Sequence, residues 1–194
     1  VAIGSSAGGL EALQEFFAAM PPDTGMAFVV VTHVRPGRES IMPELLSAVT
    51  SMEVIHAEDR TDLKPNRVVV ARDSLLSVSK RVLRPVKSDN EPEATYHPVD
   101  HFFRSLAADQ HEHAIGIILS GSGNDGSLGL KAIKAAGGMI MAQAPDNAKY
   151  SSMPEQAIAT HLVDYVLPSR DLPRYILVSD FQQFRLFDME LGPL

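Results

Sequence analysis

The sequence predicts an α/β fold: a doubly wound, mostly parallel sheet with helices on both faces and an appended β-hairpin. Three observations carry this. Short apolar runs alternate with amphipathic stretches along most of the chain, which is the pattern of βα units. Several of those runs are rich in Val and Ile without polar alternation, as in strands covered on both faces. Glycine-rich turns stand where a run gives way to a helix.

Each element follows from local pattern. Val1–Gly4 reads as the end of a buried strand. Gly8–Met20 places Leu10, Leu13, Phe16, Phe17 and Met20 at helical spacing, and Pro21-Pro22 stops it. Met26–Thr32, with three valines, is a second strand, followed by a turn through Pro36-Gly37. Ser40 caps a helix that runs to about Val49, with Pro43 in its first turn. Glu53–His56, Arg67–Ala71, Leu75–Ser79 and Val82–Val86 are short β-rich pieces, and the last two form a hairpin around Lys80-Arg81. Ser88–Ala94 is a polar loop. A helix (Val99–Gln110), a strand (Ala114–Ser120), a Gly-rich loop (Gly121–Gly126) and a helix (Leu128–Ala136) follow. A strand (Met139–Gln143), a helix from Pro154, a strand (Val163–Leu167) and a terminal helix (Asp171–Phe184) complete the pattern. No repeat or change of composition divides residues 1–194, so one domain is expected. Because Val1 already lies within a strand, that domain reads as a piece of a longer chain.

Composition narrows the function. Lys and Arg number 17 against 24 Asp and Glu, a net charge of −7 without a basic cluster, which argues against nucleic acid as a partner. The absence of cysteine excludes disulfides and thiolate metal sites. No apolar run approaches the roughly 20 residues of a membrane helix, so no direct membrane insertion is expected. No targeting peptide is visible, and the expected location is cytoplasmic.

In a doubly wound sheet, chemistry collects beyond the carboxyl ends of the strands. Three features fall there. Gly4-Ser5-Ser6-Ala7-Gly8-Gly9 reads as G-x-S-x-G and sets Ser6 on a strand-to-helix turn as a candidate nucleophile. Ser5 competes, but only Ser6 has glycine at both −2 and +2. The plainer readings are a tight βα turn or a phosphate cradle. His33 ends the second strand, which in a βαβ unit neighbours the first, so its imidazole is a candidate base for Ser6. Asp125 lies in Gly121-Ser122-Gly123-Asn124-Asp125-Gly126, which is ordinary turn material but also follows a strand. A carboxylate there could orient the imidazole. The Gly121, Gly123 and Gly126 spacing also matches a dinucleotide fingerprint, with Asp146 20 residues further on. Against that reading, Asp125 would put a negative charge where a pyrophosphate belongs.

The other histidines point to less. His97 and His101 have i, i+4 spacing, but His97 precedes Pro98 and falls outside the helix. His111-Glu112-His113 reads as an exposed loop, and His56 and His161 carry no assignment. No cluster has the ligand number and spacing of a zinc site.

Through Ile3–Gly9, Thr32-His33, Gly121–Gly126, His97–Asp100 and Met153-Pro154, the chain resembles the catalytic domains of the chemotaxis protein-glutamate methylesterase (CheB) family over about residues 1–167. The stretches Ser6–Met20, Gly25–His33 and Ala135–Tyr150 resemble the version found in methylesterase–methyltransferase fusion proteins. The resemblance implies a doubly wound sheet with a hairpin, and Ser6, His33 and Asp125 as a catalytic triad. It implies hydrolysis of glutamate γ-methyl esters on methyl-accepting chemotaxis receptors, with glutamine deamidation as a second activity and no metal or organic cofactor. The oxyanion would meet the backbone N–H of Ala7, with a contribution from the Ser122–Gly123 region or the His33 segment. Fused or associated methyltransferase and regulatory domains are implied partners. Many stand-alone members have threonine and methionine where this chain has Ala7 and Ser122, two positions bordering the site. Two readings of other classes stand beside this one: a nucleotide-binding oxidoreductase using the Gly121–Gly126 loop, and a non-catalytic receptor-binding regulatory module.

Overall fold

The computed structural model describes residues 1–32, 40–72, 75–86 and 97–176, together with the backbone of 178–180, 183–185, 187–188 and 192–193. Seven strands form one all-parallel sheet: β1 (Ala2–Ser5), β2 (Ala27–Thr32), β3 (Glu53–His56), β5 (Arg67–Val70), β8 (Ile115–Ile118), β9 (Met139–Gln143) and β10 (Tyr165–Leu167). Their order is β10-β9-β8-β1-β2-β5-β3. The chain leaves β1 in one direction to β2 and later returns to its other side as β8. Right-handed crossovers then require the helices of the two halves to lie on opposite faces.

They do so. On one face α1 (Gly9–Ala19) and α2 (Met42–Ser47) cover Ile3, Phe28, Val30, Val68, Val70, Ile117 and Met141. On the other, α3 (Pro98–Gln110), α4 (Ser127–Ala135) and α5 (Ser152–Ala159) cover Ala2, Val29, Val31, Val69, Ile118, Ile140 and Ala142. Successive residues of each strand thus enter different cores, and for that reason the strands show no polar alternation. Phe16, Phe17 and Phe28 meet edge-to-face, at centroid separations of 5.2, 5.7 and 6.4 Å, and anchor α1 to β2.

The hairpin of β6 (Leu75–Ser79) and β7 (Val82–Val86) is present, with Lys80 and Arg81 both at positive φ (52° and 59°) in its two-residue turn. Its sheet is its own: β7 also pairs with β4 (Thr61–Asp62), a strand absent from the sequence reading. The hairpin rests on α3 through Ser105 Oγ, which accepts the Val78 N–H, and through Asp109, which accepts the Lys80 and Arg81 N–H groups.

Two expectations need adjustment. The helix expected to be capped by Ser40 begins at Met42, and Ser40 Oγ accepts the Met42 N–H from just outside it. Asp171–Phe184 is not a helix. Leu172–Tyr175 is one 3₁₀ turn, and Val178–Asp180 pairs antiparallel with Gln183–Arg185. Ile176 and Val178 are β-branched and favour extended backbone, which Val178–Asp180 adopts. The Pro36-Gly37 turn and the Ser88–Ala94 loop lie outside the described residues.

Close helix–sheet approach constrains β8. A Cβ on Gly116 would lie 2.5 Å from Ile133 Cδ1 of α4. Gly116→Val should therefore lower the unfolding free energy by about 2 kcal/mol through overpacking. Urea titration would show a lower midpoint with an unchanged slope.

Candidate active site

The site is built at the switch between β1 and β8, where the two halves of the sheet diverge. The β1 and β2 register pairs Ser5 with Thr32. Ser6 therefore follows β1 at the end of its pairing with β2. His33 itself lies outside the described residues. On the other side of β1, the turn is tied to the β8 loop: the Ser6 N–H donates to Ser120 O at 3.0 Å, and Ser120 Oγ donates to Ala7 O at 2.9 Å.

The glycines of the first motif are explained by packing. A Cβ on Gly4 would lie 2.4 Å from Val99 Cγ1, so Gly4 lets the start of α3 press against β1. Gly8 is the residue before α1 and has φ 68°, a left-handed conformation that a side chain resists. Ser6 has no such strain, and the chain reversal is absorbed two residues later. Ser5 is a strand residue with a fully buried hydroxyl, which excludes it as an accessible nucleophile. Ser6 and Ala7 are partly exposed. Among the described residues no acceptor takes the Ala7 N–H, which stands just ahead of the α1 N-terminus.

Asp125 is 3% exposed, and its carboxylate serves the start of α3. Oδ2 accepts the Val99 N–H and Oδ1 the Asp100 N–H, each at 2.9 Å. Helix α3 cannot cap itself, because Pro98 has no N–H and His97 makes no side-chain cap bond. Asp100 returns the service: its Oδ1 accepts the Gly129 N–H of α4 at 2.6 Å. A Cβ on Gly129 would lie 2.6 Å from Phe103 Cβ, so glycine is what allows α3 and α4 to come this close. Ser122 and Gly123, between the two structured ends of the loop, are exposed.

The dinucleotide reading fails on the same geometry. Cβ positions at Gly121 and Gly126 are occupied by Met153 Sδ (2.1 Å) and Ile118 Cδ1 (2.4 Å), so these glycines admit protein atoms, not a pyrophosphate. Only Gly123 of the three faces open space. Asp146 is an exposed turn residue.

His97 stands beside Asp125, with Nδ1 3.8 Å from Oδ1, beyond hydrogen-bond length. The potential ligand atoms of His97, Asp100 and Asp125 lie within 4.8 Å of one another. Both carboxylates already accept N–H groups at helix N-termini, whose dipoles favour anions and work against a cation there. His101 does not join His97, since its Nε2 is 2.7 Å from Ser77 Oγ of the hairpin. His56 Nε2 pairs with Ser40 O at 3.0 Å.

Sequence reasoning missed the residues that hold the two loops. The Ser120 N–H donates to Gln143 Oε1 at 2.8 Å, and Gln143 Nε2 donates to Asn147 Oδ1 at 2.9 Å. Asn147 Oδ1 also accepts the Ser169 N–H at 3.0 Å, and the Ser169 hydroxyl donates to Glu15 of α1. A polar residue closing an apolar strand, as Gln143 does, was the available signal. Above Gly8, Lys149 pairs with Glu11 at 2.9 Å. Lys149 holds the Glu11 carboxyl below the usual carboxylate range, and Glu11 holds the Lys149 ammonium above its own. The pair is on the surface, where such bridges add little stability.

Fold and loops together define a class: a parallel α/β domain whose serine turn and carboxylate loop meet at the switch of the sheet. The chain belongs to the CheB methylesterase family, whose profile matches residues 1–176. It is 33% identical over 186 residues to "protein-glutamate methylesterase/protein-glutamine glutaminase 3" of Geobacter sulfurreducens, covering 91% of this chain and 49% of that protein. A Treponema denticola relative of the same name is 35% identical over 161 residues, 81% of this chain and 43% of its own. The chain thus spans about half the length of the curated relatives it matches. The crystal structure of the Thermotoga maritima CheB methylesterase catalytic domain superposes with a TM-score of 0.76 at 28% identity, covering 89% of this chain and 93% of that one.

Removing the Asp125 carboxylate leaves two buried helix N–H groups without acceptors. Asp125→Ala should cost about 2–3 kcal/mol of stability, measured by urea unfolding, apart from any effect on activity.

Proposed function

We propose that residues 1–194 act as one cytoplasmic serine hydrolase domain. It removes methyl groups from glutamate γ-methyl esters of methyl-accepting chemotaxis receptors and deamidates receptor glutamines at the same site. The observation that carries this is the join at the switch point, where Ser6 N–H bonds to Ser120 O beside the Asp125 loop. Family membership and the printed activity of the relatives support the reaction type.

In this reading His33 takes the Ser6 hydroxyl proton as Oγ bonds to the ester carbonyl carbon. Asp125 accepts the other imidazole N–H and fixes the tautomer. A carboxylate offers about four lone-pair sites, and the two helix N–H groups leave capacity for that bond. The oxyanion is met by the Ala7 N–H, ahead of the positive end of α1, with Ser122–Gly123 at its flank. Collapse of the tetrahedral adduct breaks the C–O bond, and methanol leaves with the proton from His33. Water, deprotonated by His33, then attacks the acyl-serine and releases glutamate and free Ser6. With a glutamine substrate the leaving group is ammonia. Nothing in this sequence of steps calls on a metal or organic cofactor. The partners it calls for are receptor polypeptides and, in fused or associated form, methyltransferase and regulatory domains.

Ser6→Ala should lower kcat by several orders of magnitude, and Asp125→Asn by about 10⁴-fold, in methanol release from a methyl-esterified receptor. A fluorophosphonate probe should label Ser6. A Ser6→Ala protein that releases methanol at the parent rate overturns the assignment, and an unlabelled, inactive parent favours the non-catalytic module.

A further inference from the structure

We propose that Tyr150 is a specificity-determining residue of this site: its ring is a fixed apolar wall that receives the polypeptide flanking the scissile side chain. The inference rests on the reading of Ser6 as nucleophile and adds what selects a polypeptide ester over a small one.

Tyr150 lies between β9 and α5, at the same sheet edge as Ser6. Its main chain is clipped to the β8 loop on both sides: the Tyr150 N–H donates to Ser120 Oγ at 3.1 Å, and Tyr150 O accepts the Gly121 N–H at 3.0 Å. Gly121 is the glycine whose Cβ position lies 3.1 Å from Ser6 Cβ. The ring leans on the Ser6 turn itself, since a Cβ on Gly8 would lie 3.0 Å from Tyr150 Cδ2. The Tyr150 main chain thus meets the serine turn through Gly121, and its ring meets it at Gly8.

Despite this anchoring, Tyr150 is 47% exposed. Four large apolar side chains are exposed among the described residues, and three of them stand at the carboxyl edge. These are Tyr150, Leu128 in the first turn of α4 and Ile41 just before α2. The fourth, Val166, is on edge strand β10. Of these, Tyr150 is the one whose ring lies against the serine turn, and its exposed face is open to a partner. The groups proposed to cover it are the main chain and apolar neighbours of a glutamyl ester within a polypeptide. A ring whose backbone is already fixed gives up little entropy on binding, so its buried area appears as affinity.

The test uses a peptide with a central glutamate γ-methyl ester and apolar neighbours on both sides. In a Ser6→Ala background, Tyr150→Ala should weaken binding of this peptide about tenfold, and Tyr150→Phe should hold it within about twofold. In the active protein Tyr150→Ala should lower the ratio of kcat/KM on the peptide to kcat/KM on the single-residue ester N-acetylglutamate γ-methyl ester amide about tenfold. Tyr150→Gln, which keeps the backbone clip, should behave like Tyr150→Ala. Unchanged peptide affinity in the Ala and Gln variants, or an equal loss on both esters, overturns the proposal. A parent that hydrolyses neither ester counts against the functional reading, and the binding measurement still decides the role of Tyr150.

Discussion

The arrangement of the site depends on one exchange of helix caps. Helix α3 begins with a proline and has no capping side chain of its own, so its first two free N–H groups need acceptors from elsewhere. Asp125 supplies both, from the loop that leads into α4. Helix α4 is preceded by a glycine and receives its acceptor from Asp100 of α3. Neither helix start is satisfied unless the other is in place. In a buried setting, where an unpaired N–H costs about 1–3 kcal/mol, this couples the two elements strongly. It also fixes the direction of the Asp125 carboxylate without any contribution from a substrate.

A second, smaller tie brings the serine turn to the same place. Ser120 is the last residue before the β8 loop, and all of its polar groups are engaged. Its carbonyl holds Ser6, its hydroxyl bridges Ala7 and Tyr150, and its N–H is taken by Gln143. Because β1 and β8 are paired strands at the switch, the bonds to Ser6 and Ala7 span neighbouring chain segments and need no long side chain. The position of the turn is thereby set by backbone geometry, the least deformable part of the fold. Side chains added to such a frame inherit its precision.

The same contrast explains what could be read beforehand. Strands buried on both faces announce themselves through uninterrupted Val and Ile, and the turn at Lys80-Arg81 through the alternation on either side. Strand order was less accessible: β5 inserts between β2 and β3, and β4 joins the hairpin as a two-residue strand, too short to leave a pattern. The segment after Leu172 read as helix because its apolar spacing permits one, yet backbone pairing prevailed there. Glycine motifs revealed both loops, but for a reason the sequence does not display. Gly4, Gly121 and Gly126 are required by Val99, Met153 and Ile118, residues remote from them in sequence or hidden in the core. Ser120 and Asp100 act through hydrogen bonds with main-chain groups, and such roles leave no compositional mark, whereas Gln143 shows only as the polar end of an apolar strand.

In the proposed mechanism Asp125 has a second duty, to orient the His33 imidazole. A carboxylate that merely faced solvent would lose rotamer freedom each time it oriented a base, and water would compete for its oxygens. Here the rotamer is already chosen by two main-chain donors, and burial removes the competition. The ordering cost is met during folding, by the same bonds that start α3, so orienting an imidazole draws on none of the substrate's binding energy. His97, half exposed and 3.8 Å away, lacks this advantage, because no bond holds it to the carboxylate. In the proposed mechanism the base is His33, and the carboxylate it would use is already held in position by main-chain donors.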